Sequence, residues 1–243
     1  INARRYPDKA ALVFLGRTTT YRQLCEGTER MAAYLHGLGV QKGDRVIVLM
    51  QNSSQLVLAH YAIFRANAVV VPVNPMNTAE ELKHYITDSG AKVAITTADL
   101  APELAKASNA LPQSEALQHL LVTRFTDGFD ADVQGPDAPP EAWRNWLLGE
   151  REPASLSHGK VHAWTQALAC SELPPPHTAG RDDLALLPYT SGTTGQPKGC
   201  MHLHRSINHN AVSGAMWGTG SSENVVLAVV PMFHITGMVS VLH

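Results

Sequence analysis

The chain has 243 residues, 44% of them hydrophobic and 16% charged, and a formal net charge of −2. That length and apolar content suffice for a substantial core and are not those of a disordered chain. The near-neutral charge, without a basic stripe, excludes an electrostatic nucleic-acid binder.

The opening segment reads as alternating strands and helices. Ala11 to Leu15 is strand-like, and Thr20 with Gln23 three residues later forms a capping box that starts a helix. Leu24, Met31, Leu35 and Leu38 fall on one face of that helix, and Gly39 suits its end. Arg45 to Met50 is a second strand, Gln55 to Ala66 a helix and Val69 to Val73 a third strand. Thr78 and Glu81 make another capping box; the helix they start turns Leu82, Tyr85 and Ile86 inward and ends at Gly90, before a strand over Lys92 to Thr96. This alternation predicts an α/β fold, a doubly wound parallel or mixed sheet covered by helices. The longest apolar stretch, Leu56 to Val73, is broken by His60, Arg65 and Asn67 and is too polar for a bilayer helix.

From about Asp127 to Asp183 the pattern degrades into proline clusters at Pro136, Pro139 and Pro140 and at Pro174 to Pro176. Glu141 to Leu148 and Lys160 to Cys170 read as short surface helices. The chain thus divides into a first α/β segment, 1–127, a Pro-rich connector, 128–182, and a second α/β segment, 183–243. Cys25, Cys170 and Cys200 lie far apart and cannot all pair, which points to a reducing cytoplasm.

The second segment carries the most specific pattern. Leu184 to Leu187 is a short apolar run of the kind buried on both faces, and Tyr189-Thr190-Ser191-Gly192-Thr193-Thr194-Gly195-Gln196-Pro197-Lys198-Gly199 follows it, ahead of a helix-like run. Glycines let a backbone approach phosphates, hydroxyls donate to them and Lys198 adds a positive charge. The expected site is the crevice at a strand's carboxyl end, helped by the next helix's N-terminus. The loop is not a Walker A motif, because Pro197 stands where that pattern needs glycine. Val225 to Val230 reads as another apolar strand, leading into Pro231-Met232-Phe233-His234-Ile235-Thr236-Gly237-Met238. His202, His204 and His209 lack the spacing and the further ligands of a metal site, so no metal-binding side chain is assigned; they are expected to flank the loop.

The Tyr189 to Gly199 loop resembles the signature of the adenylate-forming, AMP-binding superfamily, of the acyl-CoA synthetase or fatty-acid–CoA ligase type. Pro231 to Met238 is similar to that family's next motif, and Tyr6 to Leu12 and Val69 to Asn77 also resemble it, so the likeness spans nearly the whole chain. The resemblance implies activation of a carboxylic acid, a fatty acid first, by ATP to acyl-AMP with release of pyrophosphate, then transfer to coenzyme A. Thr190 and Lys198 would be catalytic, and Thr190, Ser191, Gly192, Thr193, Thr194, Gly195 and Lys198 would bind the nucleotide, with Mg2+ on its phosphates. Phe233, His234, Thr236, Gly237 and Met238 would line the acyl and thiol path. Amino-acid-activating relatives resemble Phe-Asp-x-Ser at this point; here His234 replaces the carboxylate, so a substrate ammonium would be left unpaired, at a cost of several kcal/mol.

Other readings stay open: an aryl-CoA ligase, a carrier-protein-loading ligase or a non-catalytic nucleotide-binding module. Relatives are expected to run to about twice this length. The chain is therefore read as an incomplete N-terminal part, lacking the C-terminal half and cap domain and inactive alone. Peripheral membrane contact and oligomeric state are left open.

Overall fold

The computed structural model describes residues 1–129, 133, 138–190, 195–218 and 221–242. A short helix α1 (Asn2–Arg5) precedes strands β1 (Ala10–Phe14) and β2 (Arg17–Thr20), which pair antiparallel as a separate ribbon rather than joining the main sheet. The sequence reading supplied β1 but not its partner. Three consecutive threonines favour an extended strand, yet they carry no apolar alternation to announce one.

Helix α2 (Tyr21–Gly37) begins at the expected capping box: Thr20 Oγ1 accepts from Gln23 N–H at 3.2 Å, and Gln23 Oε1 accepts from Thr20 N–H at 2.9 Å. Gly39, at φ +92°, supplies the left-handed turn beyond the helix end. Then follow β3 (Arg45–Leu49), α3 (Ser54–Arg65), β4 (Val69–Val73), α4 (Ala79–Ser89), β5 (Val93–Thr97), α5 (Ala101–Asn109) and β6 (His119–Thr123). Glu81 Oε2 accepts from Thr78 N–H at 2.8 Å at the start of α4, and Gly90 closes that helix in the left-handed region.

The connector holds α6 (Glu141–Leu148), as expected. Lys160 to Cys170 departs from the expected surface helix: it is strand β7 (Lys160–Ala163) followed by the five-residue helix α7 (Trp164–Leu168), which buries Trp164 and Ala167. The parallel neighbour β6 stabilises Lys160 to Ala163 as an edge strand. The chain continues through β8 (Leu184–Leu186), β9 (Tyr189–Thr190), β10 (Lys198–Gly199), β11 (His202–Leu203), α8 (His204–Trp217) and α9 (Ile235–Gly237), ending in a π-turn over Met238–Leu242.

Seven strands form the main sheet in the order β11-β8-β4-β3-β5-β6-β7, all parallel except β11. Successive strands step outward on opposite sides of β3, which makes its carboxyl end a topological switch point. Side-chain alternation divides the core accordingly. Val46, Val48 and Val70 pack with α2, α3, α7 and α8 on one face, while Ile47, Leu49 and Val71 pack with α4 and α5 on the other. Val225 to Val230 does not form the expected strand; Val225 is 95% exposed and, among the described residues, no strand lies beside it to pair with.

On the edge formed by β6 and β7, His162 Nδ1 lies 2.8 Å from the Tyr34 hydroxyl and its Nε2 3.0 Å from His119 Nδ1. Burial, then His162 and Lys160, hold the His119 ring below its usual range; burial, then Lys160, does the same for His162. The folded state therefore favours neutral rings, and this stabilisation is present above an ordinary histidine pKa of about 6.5 and lost as pH falls through the lowered values. Urea midpoints should fall between pH 7 and pH 5 more steeply in the wild type than in the His119→Gln/His162→Gln variant. Parallel slopes would refute the linkage.

Candidate functional site

The two ends of the loop expected to cradle phosphates pair as short antiparallel strands. Lys198 pairs with Thr190 and Gly199 with Tyr189 across β9 and β10. Ser191, Gly192, Thr193 and Thr194 lie outside the described residues. Gly195 has φ +100° with open space around the position of an added Cβ, so its need for glycine is conformational. Lys198 is exposed and, among the described residues, its ammonium has no ion-pair partner. Thr190 Oγ1 lies 3.8 Å from Cys200 Sγ.

The hairpin leaves the sheet lower than expected. Leu186 pairs with Val70, and Leu187 N–H donates to the Val70 carbonyl at 2.9 Å, so β8 ends level with the amino-terminal half of β4. The chain then turns onto α4, where Tyr189 O–H donates to Asp88 Oδ2 at 2.6 Å and His84 Nε2 lies 2.7 Å from the Pro197 carbonyl. Since α4 runs back from the carboxyl to the amino end of the sheet, passing from Asp88 to His84 carries the hairpin toward the carboxyl edge.

The expected contribution of the next helix is absent. Strand β11 runs back antiparallel along β8 before α8 begins, and the first turn of α8 meets the chain at the amino end of β8, where His204 N–H donates to the Asp183 carbonyl at 3.1 Å. His204 packs on Phe64 with ring centroids 5.1 Å apart, so it sits behind the sheet rather than beside the loop. The Asp183 side chain fixes this end of β8 through Gly180 N–H at 2.6 Å and Lys42 Nζ at 2.7 Å, contacts that hold its carboxyl below the usual range.

The second expected group lies across the sheet. Asn52, just beyond β3, donates its side-chain amide to the carbonyls of Ala228 at 3.0 Å and Val230 at 2.9 Å, and its Oδ1 accepts from Met232 N–H at 2.7 Å. One side chain thereby ties Pro231 to Met238 to the switch point. Phe233 is half-buried; His234 and Thr236 are exposed, with His234 Nδ1 accepting from Thr236 N–H at 3.3 Å. Met238 is fully buried in the α3-side core. Gly237 does make a close approach, but to its own chain: an added Cβ would stand 2.2 Å from the Pro231 carbonyl oxygen.

The structure therefore brings Thr190 and Lys198 together on the α4 side and Phe233, His234 and Thr236 together on the other. Described residues of the two groups share no hydrogen bond. Sequence reasoning missed Asn52, His84 and Asp88. The only signals were an asparagine directly after a strand and a His/Asp pair four apart on a helix face.

A family model for the AMP-binding enzyme matches residues 1–243. The chain belongs to the AMP-binding enzyme family. Among curated family members, a long-chain-fatty-acid–CoA ligase of Bacillus subtilis is 30% identical over 257 residues, covering 100% of this chain and 42% of the relative. One from Salmonella typhimurium is 34% identical, covering 96% of this chain and 41% of the relative. The chain thus spans about two fifths of the length of these AMP-binding relatives. The N-terminal domain of FACL13 from Mycobacterium tuberculosis superposes with a TM-score of 0.70 at 26% identity, covering 99% of this chain and 52% of that one. Among the described residues, no helix is long and apolar enough to cross a membrane.

Proposed function

We propose that the protein activates a carboxylic acid with ATP, releasing pyrophosphate, and passes the acyl group from AMP to the thiol of coenzyme A. The observation that carries this reading is the hydroxyl- and glycine-rich segment ending in Lys198, whose ammonium has no ion-pair partner among the described residues, in a chain of the AMP-binding family. A free carboxylate is a poor acyl donor, and adenylation gives it a leaving group. As a carboxylate oxygen attacks the α-phosphorus and the bond to pyrophosphate breaks, negative charge grows on the departing oxygens. Lys198, Thr190 and the residues from Ser191 to Gly195 are the donors assigned to that charge.

Magnesium fits this donor set, since it takes oxygen ligands mostly from the phosphates and the chain contributes the Thr190 hydroxyl. When bound it neutralises the triphosphate. Phe233, His234 and Thr236 are assigned to the acyl and thiol path, with Gly237 and Met238 shaping the turn behind them. No carboxylate stands at His234, which favours acids without an α-ammonium group. Fatty acids are the first class to test, because the named curated relatives are fatty-acid–CoA ligases. A cytoplasmic location belongs to the same proposal.

ATP–pyrophosphate exchange by the native polypeptide that bears this chain, run with fatty, aryl and amino acids, is the test. Exchange dependent on a fatty acid is expected. Dependence on an aryl acid would move the substrate class, and nucleotide binding without exchange would leave a non-catalytic module.

A further inference from the structure

Both strands of the hairpin rest on one face of α4. His84 and Asp88 are four residues apart and so project from the same side of the helix, one turn apart. Asp88 takes the Tyr189 hydroxyl on β9 at 2.6 Å, while His84 meets the Pro197 carbonyl, immediately before β10, at 2.7 Å. A carbonyl can only accept, so His84 carries its proton on Nε2. The Tyr189 ring lies edge-on to Tyr85 at 4.6 Å between centroids, and Asn77 donates to the Tyr85 hydroxyl at 3.2 Å. Burial, then the bond to Asp88, pushes the Tyr189 hydroxyl well above the usual tyrosine range, so it remains a donor.

We propose that α4 is a positioning element for the nucleotide site, with His84 and Asp88 clamping the segments on either side of the loop so that Thr190 and Lys198 are set before ATP arrives. This rests on the functional reading above. A nucleotide that binds only the clamped arrangement of Thr190 and Lys198 sees its apparent dissociation constant divided by the fraction of molecules in which that arrangement is formed. Releasing one strand lowers that fraction without touching a group that meets the phosphates. Binding of ATP weakens, and turnover once it is bound does not.

The test compares His84→Leu with His84→Gln in ATP–pyrophosphate exchange by the native polypeptide. Glutamine retains an amide donor at a reach similar to Nε2. His84→Leu should raise the KM for ATP about tenfold, the scale of one lost hydrogen bond. Its kcat should stay within about twofold, with the KM for the acid unchanged, and His84→Gln should behave as wild type. A variant that merely folds less well loses active enzyme, lowering kcat at unchanged KM. An unaltered KM for ATP in His84→Leu, or a glutamine variant as impaired as the leucine one, overturns the clamp. Amide exchange at Lys198 and Gly199 judges it without catalysis: faster in His84→Leu and normal in His84→Gln is expected, and no change in His84→Leu overturns it. Absence of exchange activity in the wild type would overturn the functional reading, leaving the amide result to decide the clamp.

Discussion

Lys198→Ala is expected to lower acid-dependent ATP–pyrophosphate exchange on the order of 10²- to 10³-fold, the usual cost of removing one donor aimed at developing charge. Its ammonium is exposed and unpaired among the described residues, so no described contact of the fold depends on it. Substitution at such a position typically changes stability by no more than about 0.5 kcal/mol. The loss should therefore appear in exchange while the urea midpoint stays put. Lys198→Arg should recover only part of the rate, because a planar fork does not reproduce a compact ammonium. Exchange by Lys198→Ala at the wild-type rate would remove Lys198 from the catalytic assignment.

Trp164→Ala should cost about 3–5 kcal/mol in urea unfolding, a large part of the roughly 5–15 kcal/mol that holds a domain folded. Trp164 is 2% exposed and opens α7, which packs against α2. It borders a pocket of about 160 Å³ that is open to solvent on one side and lined by Leu12, Leu24, Leu58 and Leu168 together with Arg17 and Gln55. Truncation would strip a buried indole of its packing in the α2–α3 core, where the surrounding strands and helices leave little room to collapse. Trp143, 58% exposed on α6, supplies the contrast: Trp143→Ala should shift the midpoint little. Equal effects at the two positions would contradict the assigned core.

The strands and helices from Thr20 to Thr97 were legible because each signal was local: capping residues at Thr20 and Thr78, glycine stops at Gly39 and Gly90, and apolar runs in β3, β4 and β5. Lys160 to Ala163 was misread because its strand state depends on a ladder with β6, which no pattern within four residues encodes. Val225 to Val230 failed in the opposite sense, carrying strand propensity without a neighbouring strand among the described residues. For the site, the chemistry of the hairpin was visible in its composition. Its support was not, since the grip of α4 depends on a register between segments far apart in sequence. The course of β11 along β8, which takes α8 away from the loop, was equally hidden.

One feature of the topology bears on how the molecule assembles. Strands β3 to β6 and their helices are joined by short connections, so they can form from contacts close in sequence. Strand β8 reaches β4 only after the connector, whose last residues run past the amino end of β4. There Asn67 accepts from Thr178 and Ala179 N–H and donates to the Pro176 carbonyl, and Arg65 grips the Pro175 carbonyl across 110 residues of chain. Closing so long a loop costs entropy before any contact is gained, which delays this step in folding. The part of the molecule that carries Thr190 and Lys198 thus joins the sheet through contacts between segments far apart in sequence. Any ligand that binds this segment in the folded chain and not in the unfolded one would add its binding free energy to the closing of that long loop.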